Sequence, residues 1–131
     1  MMRKIGQPQI FDLHEAKELL PLVKKITHEA DLRLSEHEDR LNHLLLADPR
    51  RESVQQLYKA VITQWKQKME SLGLHVEGLW KVKFDVGEGY LCWQFPEVNI
   101  GAFLKPEQSW DERQRLTVVI DEIDPDWAGF D

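Results

Sequence analysis

The chain has a single cysteine, Cys92, so no disulfide can close within it, which fits a reducing compartment. It has no apolar run near the eighteen or so residues that a membrane span requires. The opening Met1-Met2-Arg3-Lys4-Ile5-Gly6-Gln7-Pro8 is positively charged but lacks the apolar stretch of a secretory leader, and the expected location is the cytoplasm. Clustered lysine and arginine, the footprint of phosphate-backbone binding, is also missing, which argues against a nucleic-acid partner. No P-loop, G-x-S-x-G or G-x-G-x-x-G occurs. Gly87-Glu88-Gly89 is too short to cradle a phosphate and reads as a turn. With no internal repeat, low-complexity tract or linker, residues 1–131 read as one domain.

What is present is an ordinary globular mixture, 42% apolar and 31% charged over 131 residues. The net charge of −6 is unevenly placed. Asp121, Glu122, Asp124, Asp126 and Asp131 put five negative charges, with no basic residue, into the tail 121–131.

Residues 11–73 read as a helical hairpin. Asp12 followed three residues later by Glu15 is a variant capping box. Leu13, Ala16, Leu19, Leu20, Val23, Ile26, Ala30, Leu34, Leu41, Leu44 and Leu45 then recur at three- and four-residue steps, the spacing of one helical face. The face shifts by a four-residue step near Ala30, a stutter. Pro21 lacks a backbone donor and is expected to kink or divide the helix into segments 13–20 and 21–47. Asp48-Pro49 suits the turn into a second helix, 49–72, whose stripe is Val54, Leu57, Tyr58, Val61, Ile62, Trp65, Met69 and Leu72, with Gly73 as its stop.

Beyond Gly73 the period changes to alternation. Trp80, Val82, Phe84 and Val86 share one face of a strand, with Lys81, Lys83 and Asp85 on the other. Tyr90–Phe95 returns as its partner, ended by Pro96. Residues 98–104 suggest a third strand, in which Gly101 marks a bulge or close approach, and Leu116–Ile120 a fourth. A small, mainly antiparallel sheet of three or four strands over 74–120, covered by the hairpin, makes the fold class α+β.

His14, His28, His37 and His43 lie on the first helical region, and Glu36, Asp39 and His43 form its best local metal-binding constellation. Neither H-E-x-x-H nor E-x-x-H occurs, however. Lys25/Glu29, Glu29/Arg33 and Glu36/Arg40 at i,i+4 favour a solvated, paired face instead. His37 falls in the apolar seam, as a hydrogen-bonded core or interface histidine. Cys92, between Leu91 and Trp93, suits a buried small hydrophobe better than a nucleophile. Five tryptophans are many for this length: Trp65, Trp80 and Trp93 are expected in the core. Trp110, Trp127 and Phe130 lie in polar surroundings and are the candidate interaction residues. The acidic tail with Trp127 and Phe130 reads equally as an end docked on its own domain or as a peptide for a partner's apolar, basic groove.

Phe11-Asp12-Leu13-His14-Glu15-Ala16-Lys17-Glu18-Leu19-Leu20-Pro21 resembles the F-T-L-x-x-A-x-x-L-L-P opening of an uncharacterised bacterial domain of unknown function, DUF2203. The resemblance resumes at Trp65, Leu72-Gly73, Gly78-Leu79, Phe84-Asp85 and Tyr90-Leu91-Cys92-Trp93, and covers roughly residues 11–116. It carries no assigned activity or cofactor. Where such sequences run I-x-x-W-H-E, this chain has Ile100-Gly101-Ala102-Phe103-Leu104-Lys105, so a polar His-Glu pair is replaced by Leu-Lys. The expected role is a non-catalytic interaction module with a protein partner, a second copy included, and without a cofactor. The motive for self-association is the stripe of 13–20 and the stutter, which need cover beyond the second helix. The alternative is a metal-dependent or acid–base enzyme in which His14, Glu18, His28, Glu36, Asp39 and His43 supply the groups.

Overall fold

A computed structural model describes residues 9–116. At the start of the first helix, Asp12 Oδ1 accepts the Glu15 amide at 2.7 Å and Glu15 Oε1 accepts the Asp12 amide at 3.0 Å, closing the capping box. Helix α1 then runs without interruption over Leu13–Asn42, with Pro21 inside it. The expected division at Pro21 does not occur, and the helix stops five residues short of 47. Pro21 lies on the solvent side, whereas Ala16, Leu20 and Val23 on either side of it are buried. Burial of both flanks against one sheet offsets the single backbone donor that proline removes.

The turn that follows is held from the second helix. Arg51 Nη1 donates to the carbonyl of Leu41 at 2.7 Å, which also accepts the Leu44 amide at 3.2 Å, and to the carbonyl of Leu44 at 3.2 Å. Leu45 and Leu46 stand out at the tip, 81% and 90% exposed. Asp48 Oδ1 accepts the Arg50 amide at 2.9 Å, and Pro49 already has helical torsions. Helix α2, Arg50–Ser71, ends as expected at Gly73, whose φ is 91°. There the Gly73 amide reaches Glu70 O and the Leu74 amide reaches Met69 O, a Schellman motif sealed by the buried Met69 and Leu74.

Five antiparallel strands follow in sequence order: β1 His75–Gly78, β2 Lys81–Asp85, β3 Tyr90–Gln94, β4 Ala102–Leu104 and β5 Gln114–Arg115. The sheet thus has five strands, against an expectation of three or four. β1 escapes sequence reading because only Val76 of its four residues is apolar. The expected strand at 98–104 is reduced to its last three residues. The one expected at 116–120 lies outside the described residues apart from Leu116, whose amide bonds Gly101 O at 3.1 Å.

The close approach falls at Gly89, not Gly101. A Cβ on Gly89 would lie 2.6 Å from the Leu104 carbonyl oxygen and 2.5 Å from the Phe103 ring, whereas one on Gly101 meets nothing nearer than 4.0 Å.

Both helices cover one face of the sheet. Val82, Phe84, Leu91, Trp93 and Phe103 meet Leu13, Ala16, Leu20, Val23 and Ala30 of α1 and Val61, Trp65 and Met69 of α2 in one buried cluster. The stripe of 13–20 is therefore covered by the chain's own sheet, and the demand for a second copy that it suggested is removed. Trp65, Trp80 and Trp93 are buried between the layers as expected.

Two polar links pin these layers. Trp65 Nε1 donates to Thr27 Oγ1 at 2.9 Å, and Trp80 Nε1 donates to Asp31 Oδ1 at 3.2 Å. The two indoles meet edge to face, with centroids 4.9 Å apart. Trp80 has φ 62°, an unfavourable conformation for a bulky residue. Its surroundings over-determine it: Asp31 holds the indole, Trp65 packs against the ring, and the Phe95 amide donates to its carbonyl at 3.1 Å.

Candidate functional site

The opposite face of the sheet is built by the alternate residues of the same strands. Register places His75, Lys83, Cys92, Ala102 and Arg115 in one row across it. Over this row lies the short 3-10 turn Trp110–Glu112. Trp110 is 7% exposed, in a second buried cluster with Cys92 and Leu104, so it is no free aromatic on the surface. Arg113 and Lys81 lie over its ring at 4.3 and 5.7 Å, and Lys83 lies over Tyr90 at 4.4 Å while pairing with Glu77 at 3.0 Å. Trp127 and Phe130 lie outside the described residues.

Cys92 is fully buried, and that burial pushes its thiol up to about 12, against the pull of Arg113 and Lys83. A thiol so held is not a nucleophile at neutral pH. Leu104 stands where the related pattern has histidine and is packed into this same dry cluster, so the position contributes contact, not proton transfer.

On α1 the acidic and histidine residues do not converge. Among the described residues no group of three or more histidine, cysteine, aspartate and glutamate side chains is placed to hold a metal ion. Glu36, Asp39 and His43 are exposed, and His43 Nδ1 is 2.7 Å from the backbone oxygen of Asp39. The expected Lys25/Glu29, Glu29/Arg33 and Glu36/Arg40 pairs are not within ion-pair distance; His14 and Glu18 are, at 2.9 Å. His37 lies half-buried in the seam, and its Nδ1 has no hydrogen-bond partner among the described residues. Among those residues, too, no helix is long and apolar enough to cross a membrane.

A concave feature among the described residues lies elsewhere, where α1 passes the turn after β3. An open cleft of about 300 Å³ is lined by Lys24, Lys25 and His28 from α1 and by Trp93, Phe95, Pro96 and Glu97 from the sheet. Helical spacing puts His28 four residues from Lys24 and three from Lys25, hence on one side of α1. Their partner wall is a tightly bonded turn. Trp93 Nε1 donates to Glu97 O at 2.8 Å, the Gln94 amide to Glu97 Oε1 at 2.7 Å, and the Glu97 amide to Gln94 O at 2.8 Å. The Phe95–Pro96 peptide is cis. Lys24 Nζ ties the two walls by donating to Val98 O at 2.9 Å, and the His28 ring stands 6.1 Å from Phe95 at a tilt of 31°.

The cleft therefore has an aromatic and proline floor under two ammonium groups. Its one carboxylate, Glu97, already spends an oxygen on the Gln94 amide. Lys25 is exposed and has no carboxylate within ion-pair distance among the described residues. The polar groups lining the cleft are the Lys24 and Lys25 ammoniums, the His28 imidazole and the Glu97 carboxylate, beside the apolar Phe95 and Pro96. Of its members, sequence reading had singled out Lys25, His28, Trp93 and Pro96, each for a different reason. The walls are some seventy positions apart, and no periodicity connects them.

The chain belongs to the family described as an uncharacterized conserved protein (DUF2203), whose model matches residues 9–116. Neither a curated protein nor a solved structure was found that matches it.

Proposed function

We propose that this family member is a non-catalytic binding module that docks an acidic protein segment bearing an aromatic side chain. The observation that carries this reading is the cleft itself, a bonded apolar turn facing Lys24, Lys25 and His28. A flat ring can pack on the exposed Pro96 beside the edges of Phe95 and His28, while flanking carboxylates meet the two ammonium groups. The rigidity of the Gln94–Glu97 turn means that little ordering entropy is lost on the module's side.

A displayed peptide library tests it, with the full chain as bait carrying Trp127→Ala and Phe130→Ala so that its own aromatic tail does not compete. Selected peptides should combine aspartate or glutamate with tryptophan, tyrosine or phenylalanine. Lys25→Glu should weaken their binding about fivefold, the equivalent of about 1 kcal/mol for a rim charge. Selection of peptides without acidic residues, or binding indifferent to Lys25→Glu, would rule the proposal out.

A further inference from the structure

We infer that the occupant of the cleft is the chain's own acidic tail, Asp121–Asp131, bound back onto the domain that carries it; this rests on the reading of the cleft as a docking site for acidic, aromatic-bearing segments. Three observations point to this segment. The first is charge: Asp121, Glu122, Asp124, Asp126 and Asp131 stand in the tail without a basic residue, and Lys25 faces the cleft without a carboxylate of its own among the described residues. The second is the pairing of apolar groups, since Trp127 and Phe130 are spaced within that acidic stretch and the accessible apolar groups of the cleft are Phe95 and Pro96.

The third is the place where the described chain ends. The Leu116 amide bonds Gly101 O at 3.1 Å, and three residues before Gly101 the Val98 carbonyl accepts Lys24 Nζ. The described chain therefore ends within about three residues' span of the cleft rim, about 10 Å. Eleven residues separate Leu116 from Trp127, a span of up to about 36 Å when extended, well beyond the roughly 10 Å that three residues can cover. On the far side of the sheet the basic residues beside Trp110 and Tyr90 are already engaged: Lys83 with Glu77 and Tyr90, Lys81 and Arg113 with Trp110. An intramolecular tail acts at high effective concentration, so modest contacts suffice, and an external acidic segment must displace it.

The test places a nitroxide on the tail of the full chain through Ala128→Cys, Cys92 being buried and unreactive in the folded state. Backbone amide signals of His28, Phe95 and Glu97 should lose most of their intensity, and Lys25→Glu or Trp127→Ala with Phe130→Ala should restore them. A mixture of labelled unenriched chain with unlabelled isotope-enriched chain separates the two geometries. Loss of signal that persists in that mixture means that a second copy supplies the tail, and the intramolecular inference fails. No loss at the cleft, or loss at Lys81 and Arg113 instead, also overturns it. Peptide selection on the tail-aromatic variant is independent of this result, so enrichment there without signal loss here leaves the docking cleft standing and removes only its occupant.

Discussion

Thr27→Val is the sharpest probe of what joins the helices. Thr27 is fully buried on α1, and its Oγ1 accepts the Trp65 indole N–H of α2 at 2.9 Å. Valine is nearly isosteric, so packing is retained while the acceptor is lost. The indole N–H, on a side chain itself only 1% exposed, is then left without a partner or access to water. Burying such a donor costs about 1–3 kcal/mol, partly offset by removing the polar hydroxyl from the core, for a net loss of about 1–2 kcal/mol. In a chain of this size that lowers Tm by roughly 3–10 °C. Thermal unfolding followed by circular dichroism measures it. Thr27→Ser provides the contrast, since it keeps the acceptor and loses about 1 kcal/mol through a methyl-sized void. Trp65→Phe closes a double-mutant cycle, with a coupling of about 1 kcal/mol. A Thr27→Val chain as stable as the parent, or a coupling near zero, would refute the claim that this bond links the helices.

Gly89→Ala drives a methyl into the Leu104 carbonyl and the Phe103 ring, and should destabilise by about 1–3 kcal/mol in urea unfolding, whereas Gly101→Ala should change little. Cys92 should resist a disulfide reagent at pH 8 in the folded chain and react on unfolding. Its folded pKa lies above the unfolded value, so the unfolded state loses the proton first, and stability should fall as pH rises from about 9 toward 12, a slope that Cys92→Val removes. Asp48 has the opposite sign. Bonds from the Arg50 side chain and amide hold its carboxyl down at about 2, so its stabilisation is present above pH 4 and lost as pH falls through about 2. Asp48→Ala should lower Tm at pH 7, with the difference from the parent shrinking over that range.

Local chemistry was legible in the chain before any fold. The Asp12/Glu15 capping box, the Asp48-Pro49 helix start, the Gly73 stop and the alternation of Trp80 through Val86 each act within a few residues, where the backbone alone decides the outcome. Periodicity likewise separated the core tryptophans Trp65, Trp80 and Trp93, and the α+β class followed from helices that needed a sheet to cover them.

What tertiary structure decided is everything that depends on distant segments meeting. Pro21 reads as a break because its lost donor is local, yet the helix continues because Ala16, Leu20 and Val23 are buried against strands sixty and more residues away. Strand β1 carries one apolar residue and exists because β2 presents an edge for it to pair with. Trp110 has polar neighbours in sequence but lies on Cys92 and Leu104, since the turn that holds it folds over the sheet. The cleft joins Lys24, Lys25 and His28 to a turn near residue 96, a juxtaposition that no periodicity encodes. The single cysteine belongs to both accounts: its isolation excludes a disulfide from the sequence alone, and only burial under Trp110 turns its thiol into an inert part of the core.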